Sequence, residues 1–218
     1  MLMAGRASFR WWRGTQQLKM KVARGPLPPR SRLPLVGRCA GHASSAGRTD
    51  PCASAFASIR ASTTLPTAET LEAIHGLERE CFGSEAWSLE DISRSASHGF
   101  ARVAVARSDD DGNGASVRGY LLSWSLGDEI QLLRLGVSPR CQRRGLGRDL
   151  VIDLQRYASD CCAGEIDAIT LEVREGNAPA IQLYSGLGFG RMAKRKQYYS
   201  PSPRYPQGES AILMKYLL

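Results

Sequence analysis

The feature that most constrains this chain is a seventeen-residue stretch in its middle, Leu132-Leu133-Arg134-Leu135-Gly136-Val137-Ser138-Pro139-Arg140-Cys141-Gln142-Arg143-Arg144-Gly145-Leu146-Gly147-Arg148. It opens as an apolar run of the kind that forms a buried strand. Gly145 and Gly147 then lead into Leu146, Leu150, Leu154, Tyr157 and Cys161, which recur at helical spacing. A strand therefore delivers the chain through a glycine loop to the N-terminus of an amphipathic helix. Glycine lets backbone amides approach a ligand closely, and the first helical turn carries unpaired N–H groups and about half a positive charge. A phosphate group is the natural guest, and Arg140, Arg143, Arg144 and Arg148 surround the loop with cations. The plainer alternative is that the two glycines only turn a strand into a helix. Two common phosphate loops are excluded by residue: a Walker A loop ends in G-K-[ST], whereas this one ends Gly147-Arg148, and a dinucleotide fingerprint needs its third glycine where Leu150 stands.

Around this stretch the chain alternates helical and strand patterns. Thr67 is a cap for a helix running to Cys81, on which Glu69, Glu72 and Glu78 are expected to face solvent. Ser88 caps a second, short helix with Glu90 and Asp91 in its first turn. Strands are expected at Phe100 to Arg107, Val117 to Ser125, Glu129 to Val137 and around Ile169 to Val173. The acidic, glycine-containing segment between the first two reads as a hairpin loop; it begins like a calcium loop, but Tyr120 stands where the bidentate Glu is needed. Asn177 opens a further helix that Gly186 and Gly188 end, and two strands close the chain, through Tyr198-Tyr199 and from Ala211 to Leu217. The fold class is α/β, with one central mixed sheet.

The net charge of +8 is unevenly placed. Residues 1 to 60 hold eleven Lys and Arg and one acid, Asp50, while residues 61 to 218 sum to −2. The basicity thus belongs to the N-terminal segment and gives no nucleic-acid footprint for the domain. That segment is rich in Arg, Ser and Ala, broken by prolines, and has the composition of a transit peptide, which implies an organelle, plastid or mitochondrion; a disordered basic extension of a cytoplasmic protein is the alternative. The six cysteines show no C-x-x-C pair and no metal-site spacing, so no metal is expected. No apolar stretch reaches the roughly 18 residues of a membrane span.

Gln142-x-x-Gly145-x-Gly147 after Leu135-Gly136-Val137 resembles the acetyl-coenzyme A signature, Q/R-x-x-G-x-G/A, of GNAT acetyltransferases. Further segments follow in order: Cys81-Phe82 and Trp87-Ser88, Leu171 to Asn177, Ala180 to Tyr184, Leu187-Gly188-Phe189, Arg195-x-x-Tyr198-Tyr199 and Ala211 to Met214. Together they are similar to the RimI branch, the ribosomal-protein-alanine N-acetyltransferases, over residues 65 to 218. The resemblance implies a GNAT fold, a mostly antiparallel mixed sheet flanked by helices, and acetyl-CoA as cosubstrate without a metal. It implies that Leu135, Gly136 and Val137 meet the pantetheine arm, and that Gln142, Arg143, Arg144, Gly145, Leu146, Gly147 and Arg148 hold the pyrophosphate. It places Asn177 near the reactive end of the coenzyme, a residue that a plain helix N-cap also explains. Glu172 is implied as general base and Tyr184 as the acid that protonates the departing thiolate, with Arg195, Tyr198 and Tyr199 lining the peptide groove. For Glu172 the alternative is orientation of the peptide; for Tyr184 and Tyr199 it is ring packing.

The implied acceptor is a protein N-terminus, such as the alanine of a ribosomal protein. Chemistry agrees: at pH 7.5 roughly a third of α-amines with pKa near 7.8 are neutral, against about 0.1% of lysines near 10.4. Lysine side chains or a small amine are the alternative acceptors, and a ribosome- or nucleic-acid-binding module is the non-enzymatic one. The segment around Pro201, Pro203 and Pro206 and the spacing from Phe82 to Trp87 are longer than in the bacterial branch, both where a peptide would enter.

Overall fold

The computed structural model describes residues 58–62, 65–108, 116–161, 164–201 and 206–218. The expected transit peptide lies outside them except at its last residues, and the acidic hairpin loop lies outside them too. The elements are β1 (Ser58–Ser62), α1 (Ala68–Phe82), α2 (Leu89–Ala96), β2 (Ala101–Ser108), β3 (Ser116–Leu126), β4 (Glu129–Val137), α3 (Leu146–Cys161), β5 (Ala168–Arg174), α4 (Ala178–Gly186), β6 (Gly190–Tyr199) and β7 (Glu209–Leu217), with short 3-10 turns at Gly83–Glu85 and Pro139–Cys141. Thr67 and Ser88 cap α1 and α2, their hydroxyls accepting from the Thr70 and Asp91 amides. The strand β1, which pairs with β2, precedes the expected start of the domain at residue 65.

The seven strands lie in the order β1-β2-β3-β4-β5-β7-β6. All neighbours are antiparallel except β4 and β5. Strand alternation gives each face its own core. On one face Leu121, Ile130, Leu132, Leu171 and Met214 pack with Leu146, Leu150 and Leu154 of α3 and Ile181 of α4. On the other, Val103, Val105, Tyr120 and Leu122 pack with Leu71, Ile74 and Leu77 of α1 and Ile92 of α2. The buried Arg102 ties β2 to α3, donating to Asp153 at 2.6 Å with its guanidinium 4.6 Å from the Tyr157 ring.

The parallel pair is short. Pairing runs from Glu129↔Ala168 to Leu132↔Leu171, although both strands continue beyond it. A β-bulge explains where it stops: on β3, Leu122 faces Arg134 and Ser123 faces Leu132, so Leu133 is an extra residue. Bulges bend a strand and increase its twist. This one also switches side-chain parity: Leu132 lies in the α3 face, Leu133 packs against the α1–α2 face, and Leu135 and Val137 return to the α3 face. Residues 133–137 of β4 and 172–174 of β5 therefore run on without pairing to each other, leaving a cleft between the two strands.

Candidate active site

The loop that follows β4 is built for close approach. Arg143 (φ +59°) and Gly145 (φ +90°) both lie in the left-handed region, and α3 begins at Leu146. Gln142 folds the loop back, its Nε2 donating to the Val137 carbonyl at 3.0 Å. The same carbonyl accepts from the Cys81 thiol at 3.2 Å, which fastens the end of α1 to the end of β4. Leu146 is buried in the core, so its backbone is all it can offer a ligand. Gly147 has ordinary room for a methyl group, with Leu183 and Val137 carbons 3.6 Å from a built Cβ. Arg143, Arg144 and Arg148 are exposed around the helix N-terminus. Gly136, in contrast, is buried against Tyr120, where a Cβ would lie 2.5 Å from the ring. Asn177 is the N-cap of α4, its Oδ1 accepting from the Ala180 amide at 3.3 Å.

On β5, Leu171 and Val173 belong to the α3–α4 face, so Glu172 and Arg174 point to the α1–α2 side. The Glu172 side chain is 8% exposed; its Oε1 lies 2.7 Å from Nη1 of Arg195. Its Oε2 is buried and has no hydrogen-bond partner among the described residues. Carboxylate oxygens left in that condition are uncommon. The Tyr199 phenol is pushed up to about 12, first by burial and then by the Glu172 charge. Tyr184 belongs to the opposite core, packed on Phe189 at 5.7 Å between ring centroids. Burial holds its phenol well above the ordinary range, and the neighbouring Tyr199 adds to this. Glu172 and Tyr184 thus approach the open end of β5 from the two faces of the sheet. Tyr198 packs edge-on against Tyr199, with the Arg195 guanidinium 5.5 Å from its ring.

One expectation is corrected. Glu78 does not face solvent; it is fully buried. Its Oε1 accepts from Arg134 Nε at 2.7 Å and from the Trp87 amide at 3.0 Å, and its Oε2 accepts from the Tyr120 hydroxyl. Arg134 is the reason: the bulge aims it at α1, where its charge compensates Glu78 and its guanidinium sits 3.8 Å from the Phe82 ring centre and 5.3 Å from that of Trp87. Sequence reading missed Arg134, Arg174 and Glu85 as site residues. The signal available for Arg134 was the shift of the apolar alternation from Ile130 and Leu132 to Leu133, Leu135 and Val137.

A mixed sheet whose one parallel pair ends early, a positive-φ loop after β4 and a helix N-terminus beside it define an α/β protein with an unpaired strand edge next to a loop that permits close backbone approach. Comparison with known proteins narrows this. Residues 71–189 match the Acetyltransferase (GNAT) family, over more than half of the chain, and the chain belongs to that family. It is 40% identical over 87 residues to the [Ribosomal protein bS18]-alanine N-acetyltransferase of Salmonella typhimurium, a match covering 40% of this chain and 55% of that protein, so the chain spans about half the length of the bS18 relatives it matches in sequence. With the N-alpha-acetyltransferase RimI of Mycobacterium tuberculosis it shares 31% identity over 131 residues, 58% of this chain and 76% of that one. Among solved structures, the ribosomal-protein-S18-alanine N-acetyltransferase of Escherichia coli superposes with a TM-score of 0.62 at 26% identity, over 73% of this chain and 94% of that one. The NAA60 of Arabidopsis thaliana, solved with a bisubstrate analogue, shares the fold with a TM-score of 0.63 at 18% identity, covering 74% of this chain and 99% of that one.

Proposed function

We propose that this chain is an acetyl-CoA-dependent N-terminal acetyltransferase whose catalytic domain is residues 65–218 and whose acceptor is a protein N-terminus, such as the alanine of a ribosomal protein. The names of the bacterial relatives support the acceptor class. The observation that carries the reading is the unpartnered, buried Oε2 of Glu172 at the open end of the β4–β5 cleft. The acid-poor, arginine-rich first sixty residues support delivery to a plastid or mitochondrion.

The residues present fit the coenzyme. Leu135, Gly136 and Val137 lie on a strand edge that β5 does not pair beyond Leu132. Backbone amides from Gln142 to Arg148 surround a helix N-terminus where phosphate oxygens are favoured, with the arginines adding charge. Bound acetyl-CoA supplies an activated acetyl thioester. Arg195 holds one oxygen of Glu172 and fixes the carboxylate, while Oε2 accepts the proton that the acceptor amine loses on forming the amide bond, directly or through a water. Tyr184, kept fully protonated by burial, gives its proton to the sulfur as the carbon–sulfur bond breaks. That transfer is uphill from a phenol of raised pKa, but the same desolvation raises the affinity of a thiolate for the proton. Tyr198 and Tyr199 flank the path of the acceptor, and Asn177 caps the helix that carries Tyr184.

Thiol release from acetyl-CoA tests the reading, using an Ala-starting peptide and the same peptide with a blocked N-terminus and one free lysine. Release with the free N-terminus only is expected. Glu172→Gln and Tyr184→Phe should each lower kcat by about 10² to 10⁴-fold, the usual contribution of a positioned acid or base. Release with the blocked peptide at an equal rate refutes the acceptor class, and full activity in both variants refutes the roles.

A further inference from the structure

The unpaired edge of β4 is held by the end of α1. In an antiparallel pair, successive residues turn their peptide groups alternately towards the partner strand and away from it. The Ser138 amide donates to the Arg118 carbonyl at 2.9 Å, so Ser138 and, two residues back, Gly136 face β3. Leu135 and Val137 therefore turn their peptide groups the other way, to the side that β5 leaves unpaired beyond Leu132. On that side the Val137 carbonyl is already engaged. The Cys81 thiol donates to it at 3.2 Å and Gln142 Nε2 at 3.0 Å, which together use the two lone pairs of a carbonyl oxygen. One residue further, Ser138 Oγ lies 3.4 Å from both carboxylate oxygens of Glu80. Two consecutive residues of α1 thus meet two consecutive residues of the chain where β4 gives way to the loop.

The two donors to Val137 differ in what they anchor. Gln142 belongs to the loop and moves with it. Cys81 stands on α1, which is packed on the sheet through Leu71, Ile74 and Leu77. Burial keeps the thiol protonated at neutral pH, so it remains a donor. We propose that Cys81 is a positioning residue for the coenzyme: its hydrogen bond from α1 fixes the point where the β4 edge ends and the loop to α3 begins, and so holds the backbone that receives acetyl-CoA. The inference rests on the proposed function, in which acetyl-CoA lies along β4 and at this loop. Cys81 acts through Val137.

The test measures the Kd of acetyl-CoA for the full chain by isothermal titration calorimetry, without an acceptor, beside the kcat at saturating acetyl-CoA and the Tm. Cys81→Ala and Cys81→Val remove the donor, the second keeping apolar bulk, whereas Cys81→Ser keeps a donor. Kd should rise about three- to tenfold in Cys81→Ala and Cys81→Val, the reach of one lost neutral hydrogen bond, and stay within twofold of the wild type in Cys81→Ser. In all three, kcat should stay within twofold of the wild type. A thiol that only stabilises the fold would lower Tm and leave Kd unchanged, and that result in folded Cys81→Ala or Cys81→Val overturns the inference alone. So does a Cys81→Ser protein whose Kd rises beyond twofold, because it still has a donor; this variant decides the matter even where the other two do not fold. Failure of the wild type to bind acetyl-CoA overturns the functional reading and this inference with it.

Discussion

Gly136 and Gly147 stand on either side of the loop between β4 and α3, and the structure separates what each tolerates. Alanine at 136 would place its Cβ 2.5 Å from Cε1 of Tyr120 and 3.1 Å from Cδ1. The ring cannot swing aside cheaply, because Tyr120 is 2% exposed and its hydroxyl donates to the buried Glu78. Overpacking of a tight site costs about 1–3 kcal/mol. Moving the ring far enough to lose the bond to Glu78 adds about 1–3 kcal/mol for the unsatisfied carboxylate. At about 2–4 °C per kcal/mol for a protein of this size, Gly136→Ala should lower Tm by roughly 5–20 °C. Gly147→Ala is the control: the nearest atoms to its Cβ are at 3.6 Å, and the helical position favours alanine by roughly 0.5–1 kcal/mol. Its Tm should stay level or rise, in keeping with a signature that allows either residue there. Circular dichroism melts of the full chain decide it. A Gly136→Ala protein melting within 2 °C of the wild type, or a Gly147→Ala protein losing as much as Gly136→Ala, would refute the packing argument.

Asn177 offers a second separation of roles. Asn177→Asp keeps an oxygen for the Ala180 amide, whereas Asn177→Ala removes the cap and should cost about 1 kcal/mol of stability; if capping is its whole role, acetyl-CoA KM stays unchanged in both, and a rise in Asn177→Asp assigns it a coenzyme contact. Cys81 is pushed up from 9.0 to about 11, by burial first and the Glu80 charge second, so at pH 8 roughly a thousandth of it is thiolate. Alkylation of the Cys81 peptide in native protein, followed by mass spectrometry, should be slow at pH 8 and rise close to tenfold per pH unit until about pH 11; labelling at pH 8 as fast as in urea would contradict this.

The elements on either side of the glycine loop were legible because their signals are local. Glu129 to Val137 is the observed β4, Thr67, Ser88 and Asn177 are the observed caps, and the glycine loop ends where α3 begins. The alternation that put Glu172 opposite Leu171 and Val173 held for the same reason. Glu78 was misplaced because helical spacing reports which face is apolar and is blind to a charge on a distant strand. It lies one residue from Leu77, itself buried, and only the presence of Arg134, 56 positions further on, makes burial of its carboxylate tolerable. Removing that partner should cost about 3–5 kcal/mol, whereas an exposed pair is worth about 0–1. Glu85 and Arg174 were invisible for a related reason: Arg134 of β4 donates to the Glu85 carbonyl at 2.9 Å and Arg174 of β5 lies 3.0 Å from its carboxylate, and both arginines stand beyond the last paired level of the two strands.

The bulge at Leu133 connects these two failures of local reading. With strict alternation, Arg134 would follow Leu132 into the face occupied by Leu150 and Leu154, away from Glu78. The extra residue turns Arg134 towards Glu78 and, by bending β4, ends its pairing with β5 at the same level. The end of the β4–β5 pairing and the charge compensation of Glu78 therefore have one structural cause. A change that restored regular pairing would close the space between Glu172 and Tyr184 and strip Glu78 of its cation together. This coupling explains why a charged residue can stand in the middle of an apolar strand: its desolvation is offset by Glu78 and two aromatic rings only in the geometry that also holds the cleft open.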